Sequence, residues 1–419
     1  MNSSKCKMTL IAAAAAAIFG AQAGSAPAAQ ISDRFVVATA AAGSAELSDP
    51  SVAVSSKGVA VGWTLHDMLR FGTAHLGTFA LNGAPVAADI EVGQTLNNPP
   101  GVAMDPDGDV AVSWDQPDSN QSYFNSTGAL YAKRYSIGGA ANGNAIRVTG
   151  TENSYLHVAL NFSKVYSTPS KIAMDSKGNF AVGISESGYF SLGCAFVCST
   201  EFDFSNSYAG TYRADGVALR RNARIDRLSP TANGGQTQLI GISLLGNGNV
   251  AALFNNWTQD IKSRPTIKVF NQRLAKARSV TLESSSNTID NASFDANGNV
   301  YIVSHGDQCV LSRYAVNGGR MGSDILFAPG AYPCSVAAAP SGTFALVWQD
   351  SAGISGQFYN ADGSAQGDPI VIEPNPNAYV LYSVSSALDD SGHLAVMWYY
   401  LDNSAAHVET IAGRTVTAP

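Results

Sequence analysis

The chain has 419 residues, of which 45% are hydrophobic and only 14% are charged, and its formal net charge is −7 at pH 7. An acidic chain without long basic runs argues against nucleic acid or an anionic membrane surface as a partner. No apolar stretch reaches the length of a membrane-spanning helix, which argues against membrane insertion.

The first residues have the features of an export signal. Two lysines precede an apolar run over Met8–Gly20, and the Ala-Gln-Ala that follows suits signal peptidase. We predict a signal peptide over residues 1–23 with cleavage near Ala23, although cleavage near Ala28 is an alternative. The mature chain, residues 24–419, is then a single domain of a secreted or periplasmic protein.

Seven copies of one short cassette follow along the chain. Each copy is an apolar strand, a turn with glycine and an alternating strand, and four copies end in tryptophan. A period of about 40 to 50 residues is typical of the four-stranded blades of a β-propeller, so the two larger gaps indicate blades with insertions. The turn glycines are Gly58, Gly108, Gly178, Gly248, Gly298, Gly342 and Gly392.

The first strand of each cassette alternates in side-chain size. The residue five positions before the turn glycine is always small, whereas its two neighbours are mostly large and apolar. Period-two patterning puts the two sets on opposite faces of the sheet, so we predict that the small residues lie where neighbouring blades converge on the axis. The small residues are Ala53, Ala103, Ala173, Ser243, Ser293, Ala337 and Ala387.

The last blade lacks a fourth strand, because the chain stops soon after its third, His407–Gly413. The segment Arg34–Ala40, which precedes the first cassette, alternates like a strand and has no blade of its own. We predict that it pairs into the last blade and removes an exposed sheet edge. The predicted fold class is therefore all-β, a seven-bladed β-propeller closed by its N-terminal strand.

The excess length lies in connections that share one face of such a ring. A four-stranded meander puts second-to-third turns and blade-to-blade crossings on one face, here named the long-loop face. The first-to-second and third-to-fourth turns on the other face are tight. Long loops on a rigid scaffold often bind ligands. The long stretches are Thr64–Gly72, Asp115–Gly128, Gly150–Pro169, Glu186–Asn206, Asn255–Pro265 and Asn375–Tyr382.

Aromatic residues are frequent in and beside these stretches, among Asn, Ser and Asp. Such a mixture suits a ligand with apolar faces and hydroxyls, so we predict a carbohydrate or protein partner on the long-loop face. The alternative is that the aromatics form a small core that holds the loops down. The predicted binding residues are Tyr123, Tyr189, Phe190, Phe202, Tyr208, Trp257 and Tyr399.

Four cysteines remain after removal of the leader, an even number for an oxidising compartment. We predict pairing of Cys194 with Cys198 and of Cys309 with Cys334, because each pair is close in the predicted topology. A zinc site is disfavoured, since the spacing lacks a second close pair or nearby histidines. We expect no metal and no cofactor.

Catalytic motifs are sparse in this sequence. There is no HExxH, no G-x-S-x-G and no Walker loop. The DPDGD stretch from Asp105 to Asp109 resembles a calcium loop, but its equivalents in other blades have different sequences, so we interpret it as a hairpin turn. His66 beside Asp67 and His305 beside Asp307 are candidate general bases on the long-loop face.

The stretch Cys334–Asn375 (CSVAAAPSGTFALVWQDSAGISGQFYNADGSAQGDPIVIEPN) resembles the tandem propeller-type repeats of large secreted and surface proteins of bacteria. Those repeats run as an apolar strand, a D-x-x-G turn, a strand ending in VVW and a polar residue, and a Q-R-F-D-x-x-G turn. The resemblance implies a propeller fold and an extracellular setting, and it transfers no catalytic residue. The Asp-box of sialidase-type propellers is not matched, because tryptophan follows the turn glycine after six positions instead of about three.

Two functions follow from this sequence. The favoured one is a secreted, monomeric binding or scaffold propeller that holds a carbohydrate or protein on the long-loop face. The alternative is a hydrolase or lyase of extracellular polysaccharide, with acids or histidines meeting at the channel mouth. The candidate acids are Asp115, Asp118, Glu186, Asp203, Asp260 and Asp307.

Overall fold

A computed structural model of the chain shows an all-β protein whose strands form seven sheets in chain order. The predicted seven-bladed β-propeller is therefore confirmed. None of the residues described forms a helix that could cross a membrane. The structure describes residues 29–41, 46–66, 71–96, 98–117, 128–149, 164–193, 199–231, 235–258, 261–283, 288–374, 379–402 and 408–418.

The N-terminal strands and the first three blades occupy the first half of the chain. Two strands precede the first blade, β1 (Gln30–Ile31) and β2 (Phe35–Ala41). Blade one contains β3 (Glu46–Leu47), β4 (Ser51–Ser55), β5 (Gly58–His66), β6 (Gly72–Phe79) and β7 (Pro85–Thr95). Blade two contains β8 (Gly101–Met104), β9 (Asp109–Pro117), β10 (Gly128–Ser136) and β11 (Ala141–Arg147). Blade three contains β12 (Lys164–Ser167), β13 (Lys171–Met174), β14 (Phe180–Gly193), β15 (Ser199–Tyr212) and β16 (Ala218–Thr231).

The remaining four blades follow without helices among the described residues. Blade four contains β17 (Gly235–Leu244), β18 (Val250–Thr258), β19 (Ile261–Phe270) and β20 (Lys276–Thr281). Blade five contains β21 (Thr288–Phe294), β22 (Val300–His305), β23 (Gln308–Tyr314) and β24 (Ile325–Pro329). Blade six contains β25 (Cys334–Ala338), β26 (Phe344–Asp350), β27 (Gly353–Tyr359) and β28 (Ala365–Pro374). Blade seven contains β29 (Tyr379–Leu388), β30 (His393–Asp402) and β31 (Val408–Thr417).

The N-terminal strands complete blade seven as predicted. Strand β2 pairs antiparallel with β31, with Phe35 opposite Gly413 and Ala41 opposite Val408, and β1 continues the pairing along β31. Both ends of the described chain therefore meet in one sheet, and the ring has no open blade.

An ion-pair cluster joins this last blade to blade six. The buried carboxylate of Glu373 lies 3.3 Å from Arg34 Nη1 and 2.8 Å from Arg414 Nε. Arg34 also donates to the hydroxyl of Tyr400, and its guanidinium lies 5.0 Å from the centre of that ring. Because Arg34 precedes β2 and Arg414 lies in β31, Glu373 connects both halves of the closure to the neighbouring blade.

The small residues of the innermost strands lie where blades meet, as predicted. Ala387 of blade seven packs in one hydrophobic cluster with Val52 and Val54 of blade one. At Gly241 of blade four, an added Cβ would lie only 2.8 Å from Phe294 Cε2 of blade five. The large residues of one blade therefore fill the space that small residues of the preceding blade leave open.

Two of the predicted loop assignments are wrong. The stretch Glu186–Asn206 is largely a hairpin, because β14 and β15 stay paired as far as Gly193 opposite Ser199. The third-to-fourth connection of blade five is not tight, since ten residues separate β23 from β24. The repeat pattern does not predict these two features. An insertion of alternating polar and aromatic residues cannot be distinguished from a loop in the sequence until the strand that pairs with it is known.

Candidate functional site

The innermost strands of all seven blades surround a central channel with a cavity volume of about 1020 Å³. This volume is at the upper end for ligand sites in proteins. The wall repeats from blade to blade, so the residues that depart from the repeat define its chemistry. At the long-loop end the channel is lined by Asp49, Pro100, Pro169, Gln238, Asp290, Tyr332 and Ser383, among others.

Asp290 and Lys171 are charged residues of the channel wall that depart from the repeat. Asp290 stands at the position that is Pro50 in blade one and Pro100 in blade two. Lys171 stands where other blades have glycine, serine or asparagine, and burial lowers the pKa of its ammonium group. Ionisable groups in a channel wall, with a pKa shifted by burial, are candidates for function.

The rim of the channel is low at blades five and six. Only Gly306 and Asp307 connect β22 to β23, and only Ser351 and Ala352 connect β26 to β27. The side chain of Tyr332, in the crossing from blade five to blade six, is 59% exposed there. A large aromatic ring at the mouth of a channel is therefore open to solvent.

The imidazole of His305 lies beside Tyr332, with 4.8 Å between the ring centres. His305 is the last residue of β22, and its Nδ1 is 2.5 Å from Oδ1 of Asp290 at the start of the innermost strand. When the imidazole is neutral, donation from Nδ1 leaves Nε2 as a hydrogen-bond acceptor. Asp290, His305 and Tyr332 are called the mouth cluster below.

The other carboxylate oxygen of the mouth cluster, Oδ2 of Asp290, is buried and has no hydrogen-bond partner among the described residues. Burial raises the pKa of Asp290, while the hydrogen bond and the charge of His305 act in the opposite direction. A buried oxygen without a partner is costly unless a ligand or water supplies a donor. The arrangement is suited to accept a hydroxyl or amine group.

The disulfide Cys309–Cys334 holds the chain segment that carries Tyr332. It joins β23 of blade five to β25 of blade six, with 6.5 Å between the two Cα atoms, and this predicted pairing is confirmed. Cys334 is two residues from Tyr332, so the covalent link limits how far the ring can move. The other predicted pair, Cys194 with Cys198, lies outside the described residues.

The predicted binding aromatics differ in burial, and several of their side chains lie outside the described residues. Tyr208 in β15 is buried, and Tyr399 in β30 packs half-buried against the cluster between blades seven and one. The backbone register sets Phe190 opposite Phe202 in the long hairpin of blade three. Tyr123 lies outside the described residues, as do the side chains of Tyr189, Phe190, Phe202 and Trp257. Their roles in binding remain predictions.

Among the predicted acids, Asp115 has a structural role. It is buried, and its carboxylate accepts hydrogen bonds from Thr95 Oγ1 and Asn98 Nδ2, both at 2.5 Å. Asp307 is exposed on the rim and Glu186 is half-buried. The remaining three, Asp118, Asp203 and Asp260, lie outside the described side chains.

One of the two predicted histidine pairs is replaced by another, and Asp67, the predicted neighbour of His66, lies outside the described residues. His305 pairs with Asp290 instead of its sequence neighbour Asp307, and Nε2 of His66 lies 3.8 Å from Oε2 of Glu46. Neighbours along a strand point to opposite faces, so the partner comes from the adjacent strand. The departure of Asp290 from the repeat was the signal in the sequence that could have identified it.

The first-to-second turns on the opposite face hold no cation site among the residues described. Asp105 Oδ1 accepts the backbone N–H groups of Asp107 and Asp109 at 3.0 and 2.9 Å, which confirms the hairpin turn. In the described part of the chain, no group of three or more His, Cys, Asp or Glu could hold a metal ion.

Comparison with known proteins gives structural similarity only. No protein-family model and no curated protein matches the sequence. A protein of unknown function from Dyadobacter fermentans is 13% identical, with a TM-score of 0.45 over 76% of this chain and 94% of its own. The NanB sialidase of Streptococcus pneumoniae is 10% identical, with a TM-score of 0.45 over 86% and 83%. The Hadza microbial sialidase Hz136 is 11% identical, with a TM-score of 0.41 over 86% and 76%.

Proposed function

We propose that this chain is a secreted β-propeller binding protein that holds a carbohydrate at the channel mouth on its long-loop face. The observation that carries the proposal is the mouth cluster, in which the exposed ring of Tyr332 lies 4.8 Å from an imidazole fixed by Asp290. A protein partner on the same face is the alternative.

The chemistry of the mouth cluster suits a sugar. An aromatic face packs against the C–H groups of a pyranose, and nearby polar groups accept hydrogen bonds from its hydroxyls. Here Nε2 of His305, whose side chain is partly exposed, is such an acceptor, and Asp290 orients its ring. The low rim at blades five and six gives a chain-like ligand room to enter from the side.

Export is part of the same proposal. A disulfide between Cys309 and Cys334 is stable in an oxidising compartment and uncommon in the cytosol. It supports export, and we propose that the mature domain over residues 24–419 follows a signal peptide over residues 1–23. N-terminal sequencing of the exported protein tests this part directly.

Catalysis on a polysaccharide is the second candidate function. The 2.5 Å contact between Asp290 and His305 is the arrangement that orients a histidine as a general base. No further acid or nucleophile contacts this pair among the described side chains. The binding function therefore stands first.

The test is a screen of the purified mature chain on glycan arrays and soluble polysaccharides, with both retention and product release measured. We expect retention without product. Tyr332→Ala should weaken retention about five- to tenfold, since an aromatic contact contributes about 1 to 1.4 kcal/mol. His305→Gln should weaken it further, because glutamine lacks the ring and its orientation by Asp290.

Leu326→Ala is the matched control, because Leu326 is a 60% exposed apolar residue of the same blade but lies on the outer strand. It should leave retention unchanged. Product release that is lost in His305→Gln would instead establish the enzyme. If no glycan is retained, or if Tyr332→Ala retains every ligand normally, the mouth cluster is not the carbohydrate site.

A further inference from the structure

Charge is unevenly distributed around the ring. Residues 164–283, which form blades three and four, contain 14 lysines and arginines against 8 aspartates and glutamates. Residues 29–163 and 284–419 together contain 9 basic and 24 acidic residues. One sector of an acidic protein is therefore basic, and such a sector attracts anionic partners even where the net charge repels them.

The basic sector includes a row of arginines on β16, the outermost strand of blade three. Among the described strands it pairs only with β15, and on its other edge the described backbone contact is the hydrogen bond from Asn222 N–H to Val148 O. The row consists of the exposed residues Arg220, Arg221, Arg224 and Arg227. At about 3.3 Å per residue, the row extends for roughly 20 Å along the outer edge of the propeller.

The only acidic residue of β16, Asp226, pairs with blade four. Oδ1 of Asp226 lies 2.5 Å from Nζ of Lys268 in blade four, and its Oδ2 accepts a hydrogen bond from Thr237 at 3.0 Å. Asp226 therefore serves the contact between blades three and four. Within the described part of the chain, Arg220, Arg221 and Arg224 have no carboxylate partner.

An irregularity in β16 helps to expose neighbouring arginines. Asn222 has a positive φ of 45°, its backbone N–H donates to Val148 O of blade two, and the register with β15 shifts at this point. Consecutive residues of a regular strand point to opposite faces. Here Arg220 and Arg221 on one side of Asn222 and Arg224 on the other are all exposed.

Protection of an open sheet edge is the simplest explanation of charged residues on an outer strand. The other outer strands do not support it as a sufficient explanation. The outer strand β20 of blade four carries Lys276 and Arg278, and β7, β11, β24 and β28 carry at most one lysine or arginine each, so none of them approaches the four arginines of β16. Concentration of the arginines on one strand calls for a specific partner.

We propose that the arginine row of β16 is a binding site for a linear anionic polysaccharide that carries carboxylate or sulfate groups. Guanidinium groups match both anions with two parallel hydrogen bonds. A single-file row on one edge fits a narrow, extended chain. A nucleic-acid duplex is less suitable, because its width would also cover blade two, where residues 98–149 contain five aspartates against three basic residues.

This site is separate from the mouth cluster, so the two proposals can fail independently. The experiment measures binding of the full mature chain to dextran sulfate, polygalacturonate and neutral dextran at several salt concentrations. We expect the two anionic polymers to bind, neutral dextran not to bind, and affinity to fall with salt. Arg220→Gln/Arg221→Gln/Arg224→Gln should weaken binding at least tenfold and lower the salt slope by roughly two to three.

The control removes the same charge elsewhere, with Lys57→Gln/Lys133→Gln/Arg320→Gln, and should keep most of the affinity. An equal loss in both variants would mean that net charge alone governs binding and would overturn the proposal. Tighter binding of duplex DNA than of both polymers would also overturn it. If the glutamine variant fails to fold, the variant Arg220→Lys/Arg221→Lys/Arg224→Lys tests the site instead. Lysine keeps the charge but cannot form the two parallel hydrogen bonds. An affinity equal to that of the parent chain would then refute the site.

Discussion

At the level of single residues, one carboxylate arrangement closes four of the first-to-second turns. In each, one side-chain oxygen accepts the backbone N–H groups two and four residues later, and the turn glycine has φ between 76° and 90°. Glycine adopts this left-handed conformation without the steric cost of a Cβ. The residues are Asp105, Asp175, Asp295 and Asp389.

Asp105 provides a test of what these carboxylates do. Asp105→Ala should lower the free energy of unfolding by about 1 to 2 kcal/mol, because two partly buried backbone N–H groups lose their acceptor. Asp105→Asn should keep the turn, since Asn271 accepts the corresponding two N–H groups in the third-to-fourth turn of blade four. Urea denaturation of the three proteins measures both effects.

The pH dependence follows from the raised pKa of Asp105. Burial is the main cause, and the negative charges of Asp109 and Asp107 raise the pKa as well, whereas the hydrogen bonds from their backbone N–H groups lower it. The folded state holds this proton more tightly than the unfolded state, whose pKa is near 3.8. Stability of the parent chain relative to Asp105→Asn should therefore fall as pH rises above 3.8 and then level off. A difference that grows with pH would contradict the burial of this carboxyl group.

At the level of elements, the closure of the ring depends on one strand that belongs to no cassette. Strand β2 supplies the fourth strand of blade seven and covers the edge of β31. Ile411 and Ala412 of β31 are fully buried next to it. Loss of β2 would expose both apolar side chains and backbone groups, which is the usual cause of edge-to-edge aggregation.

A truncation that begins after Ala41 should therefore destabilise the domain by several kcal/mol, at about 1 kcal/mol for each lost hydrogen bond. A truncation that begins at Gln30 keeps β1 and β2 and is the control. Thermal unfolding and light scattering compare the two proteins. If both melt at the same temperature and stay monomeric, closure by β2 contributes little to stability.

At the level of the whole molecule, the ring is held by contacts between blades, and one of these is covalent. The disulfide links positions separated by 25 residues and lies beside the low part of the rim. A crosslink of this length reduces the conformational entropy of the unfolded chain. It also fixes the crossing on which Tyr332 is placed.

Replacement of both cysteines, Cys309→Ala/Cys334→Ala, should lower the free energy of unfolding by roughly 3 kcal/mol. Carbohydrate retention at the mouth cluster should weaken as well, because Tyr332 is held less firmly. Treatment of the parent chain with a reducing agent should reproduce both effects and should not affect the variant. Equal stability with and without the crosslink would show that packing alone holds blades five and six together.

The repeats made the architecture predictable. Spacing of the turn glycines and the row of small residues beginning at Ala53 are local patterns, and each blade repeats them, so seven sheets and their closure by Arg34–Ala40 follow without coordinates. The pairing of Cys309 with Cys334 follows as well, because it depends only on the order of strands in the ring.

The sites depended on information that no single repeat contains. The pairing of His305 with Asp290, the exposure of Tyr332 and the use of Asp226 by Lys268 each join residues from different strands or blades. Sequence by itself determined the ring, because backbone pairing and side-chain size repeat at short range. Tertiary structure alone decided the chemistry of its surface, because burial, charge pairing and solvent access depend on which side chains distant segments bring into contact.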